Sequence, residues 1–331
     1  VARIRLTRAD PKAIAFGVPP VEIGLPPVEL ELDGIWRRLE ATARVYDFGV
    51  ISIALRAPVA EVAWDEFVDL AGALNRAVSG PTAGRLWTEL AESVRGLIAP
   101  ALERPAPPGL EEDYFLSLVR RFDEDLTAEE LQRRVDLVPL LSGERRPLSD
   151  SARRDLLRYA FSYYRNDLAV VTWDQAFLYE PSGDTDVADV LEVANAQLLE
   201  LRYYDDLLDA ELPRMYDRVA AARRAVRGLF PRKYANLARE LYALVAEVTE
   251  ITEKVDNALK VTEDVYLARI YAAALELFRV RSWAAAVDRK LSIIRDTYTA
   301  LYDEAATARA ELLEATIVLL IVLEIVLAFI F

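Results

Sequence analysis

The stretch LLEATIVLLIVLEIVLAFIF, residues 312–331, runs apolar over almost its whole length, and its reading decides how the other elements are arranged. At 1.5 Å rise per residue a helix of this length covers roughly 30 Å, the thickness of a bilayer's hydrocarbon core. The stretch therefore predicts one C-terminal transmembrane helix acting as a tail anchor. Two acids interrupt it, Glu314 and Glu324. A carboxylate at mid-membrane costs about 3 kcal/mol on the insertion scale, and each Leu, Ile, Val or Phe returns roughly 0.3 to 0.6 kcal/mol. Thirteen such residues lie between Ala315 and Phe331, worth on the order of 4 to 8 kcal/mol together. The competing reading is a buried core helix, which seldom stays apolar on every face for so long. Glu314 and Arg309 are expected near the membrane interface, and Glu324 against the tail of a second copy.

Upstream of the tail, no Gly or Pro occurs after Pro231, which predicts helix interrupted by short turns. Two stripes step by four and three residues. One is Leu237, Leu241, Leu244, Val248, Ile251, Val255, Ala258, Thr262 and Val265; the other is Val287, Leu291, Ile294, Tyr298, Leu301, Ala305, Ala308, Leu312 and Ala315. That spacing keeps one apolar seam against a partner helix. The pattern predicts a long, coiled-coil-like helical hairpin whose second arm continues into the tail, or the same seams paired between chains.

Further upstream the periodicity changes. Residues 1–35, with Pro11, Pro19, Pro20, Pro26 and Pro27, predict an extended Pro-rich arm. ATARVYDFGVISIAL (41–55) is β-branched and aromatic, with a turn at Asp47–Gly49, and DLAVVTWDQAFLYEP (167–181) predicts a second strand pair bent near Asp174. Helical patterns over 61–77, 84–102 and 149–165, a strand at 113–122, and a capping-box spacing from Thr127 to Glu130 lie among them. The expected organisation is an arm (1–35), an α+β domain with a small sheet (36–182), an all-α domain (183–311) and the anchor (312–331).

Composition bounds the chemistry. The 331 residues include no Cys and no His, which removes disulfides, thiolate nucleophiles, imidazole bases and the usual zinc or haem ligands. The net charge of −14 and a pI near 4.7 argue against direct DNA binding. No apolar signal segment opens the sequence, so the expected placement is the inner (cytoplasmic) membrane, single-pass, with the N-terminal domain cytosolic.

Arg309, Leu313–Glu314, the apolar run and Glu324 ten residues after the first acid resemble the membrane end of the "required for meiotic nuclear division" family, which includes mitochondrial proteins and YagE-like bacterial relatives. VYDFGVISI (45–53), LEVANAQLLELRYYDDLLD (191–209) and EDVYLARIYAAALELF (263–278) resemble further stretches of that family in the same order. The resemblance implies an anchored, self-assembling protein whose mitochondrial relatives support translation at the inner membrane. It implies no catalysis.

Two local patterns carry possible chemistry. Asp205, Asp206 and Asp209 spell the D-D-x-x-D spacing with which some diphosphate enzymes hold Mg²⁺, and they define the alternative reading, a membrane-tethered Mg²⁺-dependent enzyme. Arg214, Arg218, Arg223, Arg224, Arg227, Arg232 and Lys233 form the locally basic stretch, a candidate patch for an anionic partner such as headgroups or ribosomal RNA. At 100° per residue these side chains scatter around a helix. The expected role is a scaffold or assembly protein, not an enzyme and without a cofactor. It is expected to bind the bilayer through residues 312–331, to form homo-oligomers, and to hold a protein or ribosome-associated partner.

Overall fold

The computed structural model describes residues 2–3, 18–32, 34–80, 83–102, 109–225, 239, 242–243, 245–246, 248–249 and 264–330. It divides into two compact units: Val1–Glu200 with Val255–Arg281, and Leu201–Lys254 with Ser282–Phe331.

The first unit holds two four-stranded sheets. In sheet A, β1 (Ala2–Arg3), β2 (Val21–Leu32), β3 (Ile35–Val45) and β4 (Ile51–Arg56) follow one another as an antiparallel meander. The Pro-rich segment expected as an arm thus contributes a twelve-residue strand. Pro26 and Pro27 are tolerated because they fall at the register shift between Leu25 and Val28, where the ladder with β3 is interrupted. The β3–β4 turn is closed by Gly49 N–H on Tyr46 O (3.1 Å) and Tyr46 N–H on Val50 O (2.9 Å). Gly49 supplies the positive φ of 93° that this turn needs. One part of the sheet packs Ile23 and Ala43 against Val94 of α2 (Ala83–Ile98); another packs Leu32 and Leu39 against Leu74 of α1 (Trp64–Ser79).

Sheet B has the order β5-β8-β7-β6, built from β5 (Phe115–Val119), β6 (Ala160–Phe161), β7 (Leu168–Val171) and β8 (Gln175–Tyr179). β5 runs parallel to β8, and the other pairs are antiparallel. Every residue of β7 and β8 is buried. Phe177 and Val170 pack with Leu131 of α3 (Ala128–Arg134) and Leu140 of α4 (Val138–Ser142). The capping box forms as its spacing suggests: Thr127 Oγ1 accepts Glu130 N–H at 3.2 Å and Glu130 Oε2 accepts Thr127 N–H at 3.0 Å. The helix expected over 149–165 is shorter. α5 spans Asp150–Leu156, capped by Ser149, because Ala160 and Phe161 pair with β7 instead of continuing the helix; Asp167 Oδ1 accepts the N–H groups of Tyr163 (2.9 Å) and Tyr164 (3.0 Å) and closes the β6–β7 turn.

α6 (Asp186–Ala225) runs through Pro213. In the first unit its Val193 and Ala196 pack on Tyr46 and Val50. α7 (Val265–Leu277) starts at Asp264, whose carboxylate accepts the N–H of Tyr266 and Leu267. The first heptad seam lies mostly outside the described residues; Val265, its last member, opens this separate helix and is exposed. In the second unit, α8 (Val280–Ile330) places Val287, Leu291, Ile294 and Leu301 in one buried cluster with Tyr204, Leu208, Met215 and Val219 of α6 and with Val245 and Val248. The second seam is therefore a packed one, although α6 supplies much of what it packs against.

The transmembrane tail is not supported. Among the described residues no helix is long and apolar enough to cross a membrane. The run is the end of a 51-residue helix that begins at Val280. Two acids, Glu314 and Glu324, interrupt the apolar run. The expectations of a tail anchor and of a single-pass protein in the inner membrane fall with it.

Candidate functional sites

The D-D-x-x-D pattern lies on α6, and the structure does not bring its three carboxylates together. Asp205 and Asp209, one turn apart, share a cation already: Lys290 Nζ of α8 stands 2.7 Å from Asp205 Oδ1 and 2.6 Å from Asp209 Oδ1, and donates to the Asp205 carbonyl at 3.1 Å. Burial pulls the Lys290 ammonium down, and its bonds to the two carboxylates outweigh this, so its pKa stands above the ordinary lysine value. Asp206 is exposed, about 100° further round the helix. Among the described residues no three acids are grouped to hold a metal ion.

Of the basic stretch, Arg214 and Arg218 are exposed on α6, and Arg214 pairs with Glu211 at 2.6 Å. Arg223 and Arg224 belong to the same helix, with side chains outside the described residues; Arg227, Arg232 and Lys233 lie outside them altogether. Arg309 is on α8, its side chain likewise outside them. Glu314 and Glu324 are both exposed on α8.

The outstanding surface of the second unit is the end of α8. Eleven large apolar side chains between Leu313 and Leu327 are each 46–68% exposed. The four-three step that buries Leu291, Ile294 and Leu301 continues through Ala315 to Leu319, Val322 and Val326. Glu311, Glu314, Ala315, Val318, Leu319 and Val322 border a shallow concavity on this stretch.

The first unit also holds a buried charge cluster. Arg44 of β3 pairs with Asp189 (2.7 Å) and Glu192 (2.5 Å) of α6, and Glu22 of β2 lies 3.6 Å away. Tyr46 Oη donates to Glu192 at 3.0 Å and Thr185 Oγ1 to Asp189 at 3.1 Å. Burial raises Asp189 to about 6, a rise that Arg44 only partly offsets. Burial alone would lower Arg44, but Glu192 and Asp189 hold it above its ordinary value. The only signal in the sequence is an Asp and a Glu three residues apart on an otherwise apolar helix face. Nearby, Glu200 is 3% exposed with neither carboxylate oxygen hydrogen-bonded.

The family model described as "Uncharacterized protein MJ0711, N-terminal domain" matches residues 1–185, more than half of the chain. The chain belongs to this family. The matched region ends one residue before α6 begins, so it takes in both sheets and the helices among them. The "Uncharacterized protein MJ0711" of Methanocaldococcus jannaschii is 28% identical over 193 residues, which are 58% of this chain and 58% of that protein. The chain thus spans a little over half the length of the relative it matches. No solved structure matches it.

Proposed function

We propose that this protein is a non-catalytic scaffold that self-assembles through the end of α8, leaving the α+β unit of the MJ0711 family to hold a partner. The apolar surface of Leu313–Leu327 carries the reading. Fully burying a Leu, Ile or Val is worth about 1.5 to 3 kcal/mol, so covering the half-exposed seam residues Leu319, Val322 and Val326 against one partner helix is worth on the order of 3 kcal/mol, with flanking side chains adding to it. A second copy's helix suits the surface because the buried seam continues along it in the same step. Glu324 lies about 200° round the helix from Val322 and faces solvent, away from the seam, in such a pair. The likeness of the C-terminal motifs to the meiotic nuclear division family supports the same self-assembling reading, and that family's mitochondrial members suggest a ribosome-associated partner.

The chain has no native cysteine, which permits a clean test with Val322→Cys and Thr299→Cys, the latter exposed on α8 away from the apolar stretch. Under mild oxidation Val322→Cys is expected to give a disulfide-linked dimer and Thr299→Cys to stay monomeric. Sedimentation of the parent chain as a monomer with no crosslink at Val322→Cys overturns the reading. Monomeric chain retained on carbonate-washed membranes overturns it too, because lipid then covers the surface.

A further inference from the structure

On α6, Asp189, Glu192, Ala196 and Glu200 step by three, four and four residues and share one stripe of the helix. Sheet A receives that stripe. At one end Arg44 of β3 meets Asp189 and Glu192. In the middle Ala196, with Val193 beside it, packs on Tyr46 and Val50. At the other end Glu200 lies in the field of Asp47 from the β3–β4 turn, buried and with both carboxylate oxygens unpaired.

The contact is short of positive charge. Asp189 Oδ1 and Glu192 Oε2 draw on the same guanidinium nitrogen, Arg44 Nη1. Arg44 Nε faces a third carboxylate, Glu22, at 3.6 Å. Around Asp189 the charged and titratable groups are Arg44 and Tyr46 from β3, Glu22 from β2 and Glu192 from α6 itself, while Thr185 in the loop before α6 adds a hydroxyl donor. One cation thus serves three acids, and among the described residues none pairs with Glu200. A desolvated carboxylate in excess of its cations is stabilised by taking up a proton. Both buried acids move in that direction, Asp189 to about 6 and Glu200 to about 9. With α6 seated on the sheet they hold protons more tightly than they do in water, so each proton lost as pH rises favours the lifted helix.

We infer that the seat of α6 on sheet A is a proton-operated latch: it closes as protons bind to the acids of this stripe, and as they leave, residues 189–200 lift and bare Tyr46 and Val50.

The test is amide hydrogen exchange on the full chain between pH 5 and pH 8, with rates converted to opening constants for residues 189–200 and for β7 and β8. A Glu200→Gln background keeps the other buried acid of the stripe neutral, so that Asp189 sets the profile. Its carboxyl goes from about 3.9 in an unfolded chain to about 6 in the seated helix, which makes the opening constant rise about tenfold over that range. The α6 stretch is expected to open more readily than β7 and β8 throughout and to show this rise. Asp189→Asn, which keeps an oxygen for Thr185, is expected to abolish it. Glu192→Gln is expected to keep only part of it, because Glu192 helps to raise Asp189 and its loss leaves Arg44 to Asp189 alone. A profile flat within about twofold overturns the inference whether or not the variants fold. So does a rise that Asp189→Asn leaves unchanged. Opening constants for α6 equal to those of β7 and β8 at every pH overturn it too, since they report unfolding of the whole unit.

Discussion

Replacing Glu200 by Gln is expected to stabilise the first unit, by an amount that grows with pH. Burial, and then the charge of Asp47, raise the Glu200 carboxyl from 4.5 to about 9. Between those values the native state keeps a proton that the unfolded chain has released, so stability falls as pH rises through the window and the loss is complete only above the folded value. Each pKa unit corresponds to 1.36 kcal/mol, which puts the wild-type penalty at about 1 kcal/mol at pH 5 and about 3 kcal/mol at pH 7. Gln has the same shape and leaves the same unmet hydrogen bonds without titrating, so the variant and the parent converge near pH 4.5. Urea unfolding followed by tryptophan fluorescence reads this unit, which holds Trp36, Trp64, Trp87 and Trp173 of the five tryptophans. Stability curves for parent and variant that run parallel from pH 5 to pH 8 would refute the reasoning, because a carboxyl ionised throughout cannot give a pH-dependent gap.

Arg44→Met leaves Asp189 and Glu192 buried without their cation, so a loss of about 3 to 5 kcal/mol is expected, with part of it recovered in Arg44→Met/Asp189→Leu; a loss under 1 kcal/mol in chemical denaturation would show the pairs to be incidental. Arg279 joins α7 to α8 at φ 55°, a left-handed conformation that costs a side chain roughly 1 kcal/mol. Arg279→Gly is therefore expected to raise the thermal midpoint slightly, and a lowered midpoint contradicts that.

What was legible in the sequence was whatever local chemistry alone determines. Thr127 and Glu130 cap a helix wherever they stand, and Asp47–Gly49 between two β-branched runs has to turn. β2 was missed because prolines argue against strand unless they fall on a bulge, and the bulge is a property of the pairing with β3. The helix expected over 149–165 stops at Leu156 because Ala160 and Phe161 find a strand partner in β7, a pairing that local periodicity does not carry. The tail was misread because apolar count does not distinguish a membrane span from the end of a longer helix. The buried cluster of Arg44, Asp189 and Glu192 was illegible because β3 and α6 bring together residues 145 positions apart, which no motif spacing connects.

The parallel pairing of β5 with β8 sets an order of events. β6, β7 and β8 are joined by short turns and can zip as soon as they exist, but β5 has to wait for a strand sixty residues downstream, Phe115 opposite Gln175. Closing so large a loop brings no reward until both ends are in register. During synthesis, β5 remains an unpaired edge with apolar side chains on both faces until about residue 180 has emerged. That interval, more than any later step, is when the nascent chain is open to mispairing and when a chaperone has most to protect.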